Sequence, residues 1–168
     1  MSEALPTAQK PAITTLSGRL EFLSAARRLI AETRYNASLL SFGLDARIFG
    51  DPSFAEAVKQ FLLLRRNAHL RVLVTHPQLA TRVPHALVDL GRLLSSRVEF
   101  REFAPGRPLP SEEMLLADGR LLLERNSPDA LEARLILDDP MNTRERQRRF
   151  DNLWDHAVPS ADLRRLRI

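Results

Sequence analysis

Apolar residues along this chain change period several times, and each change marks an element. Ser17 can cap a helix reaching about Arg34, with Leu16, Leu20, Leu23 and Ile30 on its main apolar side. Residues 37–42 form a short apolar run before Gly43 and predict a buried strand. Asp51-Pro52 supplies an N-cap and a proline at the first helical position. Phe54, Ala57, Val58, Phe61 and Leu62 then share one side of the helix. Residues 70–75, Leu-Arg-Val-Leu-Val-Thr, predict a second strand that Pro77 stops.

Pro84 opens a helix with Leu87, Leu90 and Leu94 aligned, and residues 97–103 alternate as a half-exposed strand does. Residues 104–110 hold three prolines and a glycine and predict a loop. Two apolar segments then flank Asp118-Gly119, a dipeptide suited to a tight hairpin turn. A loop at 126–129 leads to a strand at 132–137. Asp139-Pro140 starts a last helix in which Phe150, Leu153, Trp154 and Ala157 recur at i, i+3, i+4 and i+7.

Strands alternating with helices predict an α/β (α+β) fold, a mixed sheet with helices on both faces plus an antiparallel hairpin. Residues 1–13, rich in Ser, Thr, Pro and Ala, read as a disordered leader. Residues 14–158 read as one domain, and 159–168 as a basic tail. No run approaches the roughly 20 apolar residues of a membrane span. Nor is there a signal-peptide core or a cysteine, so the expected location is the cytoplasm.

Charge changes the picture only locally. The pI near 10.5 reflects the scarcity of groups titrating above neutrality, with Lys10 and Lys59 the lysines among 25 basic residues. The formal charge of +4 is modest. From Pro140 onward, however, seven Arg stand against four Asp or Glu. Projected at about 100° per residue, Arg144 and Arg148 lie opposite the Phe150–Trp154 stripe, Arg149 lies to one side, and Arg146 snorkels from beneath. Together with Arg164, Arg165 and Arg167 this surface could meet nucleic acid through phosphates. No aromatic residues interleave with it, so stacked single-strand recognition is not expected, and a solvated charged face is the preferred reading of these arginines.

Four histidines, His69, His76, His85 and His156, show neither i, i+4 pairing nor cysteine partners, so no zinc pattern and no other metal or cofactor is expected. His76 falls at the carboxyl end of a central strand, where open α/β sheets place ligands. Asp45 and Arg47 follow the first strand and could line the same edge. His85 and Asp89 are one helical turn apart and could pair on the helix surface.

The hairpin, Ser-Glu-Glu-Met-Leu-Leu-Ala-Asp-Gly-Arg-Leu-Leu-Leu-Glu-Arg at 111–125, and the order of elements around it resemble a single lobe of the phospholipase D/nuclease superfamily. There the hairpin carries His-x-Lys-x4-Asp, with Gly-Ser and Asn farther on. Alignment on Asp118 puts Ser111 at the His position and Glu113 at the Lys position, with Arg125, Asn126 and Asp129 where Gly, Ser and Asn belong. More narrowly, Leu-Asp-Ala-Arg at 44–47, His85 before a Leu-rich helix, and Leu-Leu-Ala-Asp-Gly-Arg at 115–120 are similar to a proteobacterial family of degenerate single lobes.

The resemblance implies a phospholipase-D-like fold without its catalytic residues. The nucleophile is absent, and Glu113 would repel a phosphate where a lysine should hold it. No catalytic residue is assigned. Candidate ligand-binding residues are Asp45, Arg47, His76, His85 and Asp118, and candidate nucleic-acid contacts are Arg144, Arg148 and Arg149. The expected role is a binding or regulatory domain for a phosphate-bearing ligand such as nucleic acid. The alternative is a protein-interaction module that dimerises or docks on a larger enzyme. Superfamily lobes pair across the motif face, so Leu115 and Leu121 to Leu123 are the residues expected at a homodimer contact.

Overall fold

A computed structural model describes residues 12–164. Fourteen elements follow one another: β1 (Ala12–Ser17), α1 (Gly18–Glu32), β2 (Asn36–Ser41), α2 (Pro52–Leu64), β3 (His69–Val74), α3 (Gln78–Thr81), α4 (Ala86–Leu93), β4 (Val98–Phe103), β5 (Glu113–Ala117), β6 (Leu121–Arg125), β7 (Glu132–Leu137), α5 (Pro140–Asp155), β8 (Ala157–Pro159) and α6 (Ala161–Arg164). The strands form one eight-stranded sheet in the order β1-β7-β6-β5-β2-β3-β4-β8. β2, β3 and β4 run parallel, and every other pairing is antiparallel.

The two-residue period explains how both faces are filled. Leu39, Val72, Leu115, Leu121, Leu123 and Leu135 point to one face and join Phe22, Leu29, Phe54, Val58 and Leu87 from α1, α2 and α4. Leu40, Leu73, Met114, Leu116, Leu122 and Ile136 point to the other, under Phe150 and Trp154 of α5. β5 and β6 are therefore covered on both sides, and their apolar runs are nearly continuous for that reason.

α5 is a polar helix that buries Thr143, Phe150 and Trp154. Arginines rising from the sheet hold it. The Arg71 guanidinium on β3 lies 5.0 Å from the Phe150 ring centroid and donates to Asp151 at 2.7 Å. Arg101 on β4 lies 4.3 Å from the Trp154 ring and donates to the Trp154 carbonyl at 3.0 Å. Partly buried cation–π contacts of this kind contribute about 1 kcal/mol each.

Several sequence expectations need correction. The leader expected at 1–13 ends in a strand: β1 pairs with β7 along its whole length, and only residues 1–11 lie outside the described residues. Gly18, at φ +80, lets the chain turn sharply from β1 into α1. α1 consequently buries Phe22, Ala25, Ala26, Leu29 and Ile30 and leaves Leu20 exposed. The fold also does not stop at 158. β8 pairs with β4, and Leu163 of α6 is fully buried in the core on the α4 side, so the expected tail is structured to Arg164, with 165–168 outside the described residues. Leu115 and Leu121 to Leu123 are within 1% of full burial and offer no surface to a second copy.

Gly91 tests the packing between α4 and β4. A Cβ there would stand 2.2 Å from Phe100 Cε2 and 2.8 Å from its Cζ, and Phe100 is itself core. Helix propensity alone favours Gly91→Ala by about 1 kcal/mol. Overpacking costs about 1–3 kcal/mol and should prevail. We expect a lower urea midpoint for the variant; an unchanged or higher one would refute this packing.

Candidate functional site

The carboxyl ends of β2 and β3 meet the amino end of β5 at one edge of the sheet. An open pocket of about 600 Å³ lies there, lined in part by Phe42, Asp45, Arg47, His76, Ser111, Glu113 and Asp129. Three of the five residues singled out for ligand binding, Asp45, Arg47 and His76, therefore share this pocket. So do Ser111, Glu113 and Asp129, three of the positions that align with the superfamily's catalytic motif.

The floor of the pocket is a closed polar network. Glu113 and Arg125 are directly opposite each other across the β5–β6 hairpin. Both are buried, at 1% and 8% exposure. Arg125 donates through Nε at 2.9 Å and Nη2 at 2.6 Å to Glu113 Oε2. The other carboxylate oxygen accepts from Ser41 Oγ at 3.0 Å and from the Phe42 amide at 2.9 Å. Ser41 Oγ in turn accepts from the Leu44 amide at 2.9 Å, and the Arg125 guanidinium lies 4.4 Å from the Phe22 ring centroid. Every charge on the floor is thus neutralised from within the protein.

Leu44 holds φ +53, a left-handed conformation that a branched side chain rarely adopts. His85 keeps it there. His85 Nε2–H donates to the Leu44 carbonyl at 2.8 Å, while Nδ1 accepts from the Val88 amide at 3.3 Å and caps α4. The residue lies beneath the pocket loop and does not line the pocket. Asp89, expected to pair with it, pairs with Arg92 at 3.6 Å instead.

Asp118 is also displaced from the expected site. It sits at the far end of β5, with φ +55 beside Gly119 at φ +68, the left-handed pair that a tight hairpin turn demands. Its carboxylate accepts from the amides of Arg34, Tyr35 and Asn36 at 2.6, 2.8 and 3.1 Å. It fixes the start of β2 and takes no part in the pocket.

On the rim, Asp45 accepts from Arg47 through the backbone amide at 2.9 Å and through Nε and Nη2, each at 3.2 Å. Burial pushes the Asp45 carboxyl up. The Arg47 hydrogen bonds, with the charges of Arg47 and Arg125, outweigh burial and hold it below the usual carboxylate range. The arginines of α5 divide. Arg144 and Arg148 are exposed and, among the described residues, have no ion-pair partner. Arg149 is paired with Glu112, and Arg146 with Glu124 at 2.9 Å. Arg164, on α6, belongs to the opposite face of the sheet from α5, so the expected continuous basic surface is split.

The role of Arg125 was missed from sequence, yet a signal was present. In a hairpin turning on Asp118-Gly119, positions 113 and 125 fall opposite, and they carry opposite charges. Among the described residues, no group of three or more His, Asp or Glu is placed to hold a metal ion, and no helix is long and apolar enough to cross a membrane.

Comparison with known proteins places this geometry. Residues 19–166 match the family described as domain of unknown function DUF7931, and the chain belongs to that family. No curated protein matches it. Its fold is that of the phospholipase D family. Nuc from Salmonella typhimurium, a phospholipase D family member, superposes with a TM-score of 0.62 at 12% identity, over 90% of this chain and 99% of that one. NucT from Helicobacter pylori gives 0.61 at 11% identity, over 90% and 100%. TrmBL2, an archaeal chromatin protein with a novel mode of DNA binding, gives 0.67 at 14% identity over 92% of this chain, which spans 57% of its length.

Two outcomes follow. Glu113→Ala leaves Arg125 buried and unpaired, and should cost about 3–5 kcal/mol in chemical denaturation. Glu113→Leu with Arg125→Leu should cost much less than the sum of the two single changes; additive losses would show that the pair is not coupled. For His85, burial lowers the pKa below its ordinary 6.5, only partly offset by the Leu44 carbonyl and by Asp89 and Asp45. The unfolded state then binds the extra proton first, so the stabilisation is complete above about pH 6.5 and is lost as pH falls toward the folded value. Between about pH 7.5 and 5.5 the wild type should lose more stability than His85→Gln; parallel curves would refute the buried neutral cap.

Proposed function

We propose that this chain is a phospholipase-D-like domain without phosphodiesterase activity, one that binds nucleic acid through backbone phosphates. The observation that carries the first part is Glu113. A carboxylate occupies the position where the superfamily resemblance puts a phosphate-holding lysine, and its charge is spent on Arg125, Ser41 and the Phe42 amide. Covalent phosphoryl transfer needs an activated nucleophile and cationic charge relief together. Ser111 has no base bonded to it among the described residues, and Arg47, the arginine lining the same pocket, is held by Asp45.

The second part is supported by Arg144 and Arg148, exposed on α5 and without an ion-pair partner among the described residues, and by the fold shared with a DNA-binding chromatin protein. Arg149 contributes less, because binding a phosphate would require it to leave Glu112. These residues would position a nucleic-acid backbone without reading its bases. The second reading is a self-pairing module, favoured by β1. It lies at the edge of the sheet, and its residues 12–17, Ala-Ile-Thr-Thr-Leu-Ser, include neither a charge nor a proline to discourage pairing.

Filter binding of duplexes of unrelated sequence, across salt concentrations, tests the proposal. Wild type should bind all of them alike. Arg144→Ala with Arg148→Ala should flatten the slope of log affinity against log salt by about two units, one per lost phosphate contact. The same preparations should hydrolyse a phosphodiester no faster than buffer. A salt slope unchanged in the double variant, or hydrolysis lost on changing Ser111, would overturn the respective half. Self-association that salt leaves intact, without nucleic-acid binding, would favour the second reading.

A further inference from the structure

The pocket at the sheet edge is rich in acceptors, and its hydrogen bonding fixes which ones are free. Thr75 has one hydroxyl proton, and Oγ1 donates it to the Phe42 carbonyl at 2.9 Å. The 3.0 Å contact between Thr75 Oγ1 and His76 Nδ1 must then run from Nδ1–H to oxygen. A neutral His76 therefore carries its proton on Nδ1 and its lone pair on Nε2. Among the described residues, Nε2 has no partner. The ring cannot easily turn away, because it packs against Phe42 with centroids 4.1 Å apart and its own amide donates to the Phe42 carbonyl at 2.7 Å.

Charge points the same way. Asp45, Glu113 and Asp129 line the pocket against a single lining cation, Arg47, which Asp45 already holds. Arg125 beneath is consumed by Glu113. With Glu113 neutralised by Arg125 and Asp45 by Arg47, the unpaired charge left among the described lining residues is the Asp129 carboxylate. A phosphate entering here would therefore meet one net negative charge and no unpaired cation. An ammonium or guanidinium would instead find the Nε2 lone pair and the Asp129 carboxylate, and could exchange with the exposed Arg47 for Asp45, while Phe42, Leu79, Leu109 and Pro110 supply apolar walls for its stem. A volume of about 600 Å³ suits a small molecule.

We propose that this pocket is a binding site for a small organic cation, an amine or guanidine on an apolar stem. It is separate from the α5 surface, so either assignment can fail without the other. The probe is agmatine, added to the full chain and followed by amide NMR, with inorganic phosphate as the contrasting ligand. Agmatine should shift Phe42, Gly43, Leu44, His76 and Asp129 saturably, whereas phosphate should leave them in place. Asp45→Asn retains the Oδ1 acceptor for the Arg47 amide, and Asp129→Asn alters an exposed rim residue, so both should fold. Together they should weaken agmatine by about tenfold. Arg144→Ala with Arg148→Ala should change nothing. Two-bond proton–nitrogen spectra should place the His76 proton on Nδ1, with Nε2 moving on agmatine addition. The proposal is overturned by an Nε2–H tautomer, by the absence of saturable agmatine shifts, or by phosphate occupying the same residues more tightly.

Discussion

The sheet edge depends on one buried ion pair. Glu113 joins β5 to β6 through Arg125 and joins β5 to β2 through Ser41 and the Phe42 amide. Burying two charges is tolerable because both carboxylate oxygens and the Nε and Nη2 groups of the guanidinium are matched, and the same matching makes loss of one partner costly. Such a floor is rigid and electrically neutral. The pocket above it takes its character from groups on the rim, where carboxylates and one imidazole lone pair face an apolar wall. From Leu44 the network continues to His85, so a helix cap remote from the pocket sets the shape of its loop.

Arginine is the residue most easily misjudged in this chain. Counted along the sequence, it suggests a basic surface. In the fold, many arginines are internal connectors: Arg71 and Arg101 seat α5, Arg97 donates to the carbonyls of Leu62 and Ala68, Arg120 to Asp138 and the Glu32 carbonyl, and Arg125 to Glu113. The planar, five-donor guanidinium suits that work, whereas an ammonium would satisfy fewer acceptors from one position. A net charge of +4 thus says little about where free cations stand.

The layered fold was legible because the central strands are short apolar runs bounded by turn residues and because α2 and α5 carry caps at Asp51-Pro52 and Asp139-Pro140. The cap expected from Ser17 on α1 is not made by its side chain; the Ser17 amide donates to Glu21 instead. β1, α3, β8 and α6 were not legible. They are short or lie at the margins, and β1 is exposed at four of its first five positions, so no local pattern separates it from a polar leader. The pocket was half legible. Asp45, Arg47 and His76 follow from strand ends, which topology places at one edge. His85 and Asp118 went astray because each bonds backbone groups far away in sequence, His85 the Leu44 carbonyl and Asp118 the amides of residues 34–36, and such bonding leaves no spacing rule to read.

The clamp on Asp118 has a chemical consequence as well as a structural one. Among aspartyl dipeptides, aspartate followed by glycine is the most prone to close a succinimide and reopen as isoaspartate, which requires the Gly119 nitrogen to attack the side-chain carboxyl carbon. Here both carboxylate oxygens are held by the amides of residues 34–36, turning that carbon toward the start of β2. Native packing thereby shields the hairpin tip from slow covalent ageing. Only chains that open at this turn would accumulate the lesion, and a hairpin with an extra backbone methylene would have difficulty closing again.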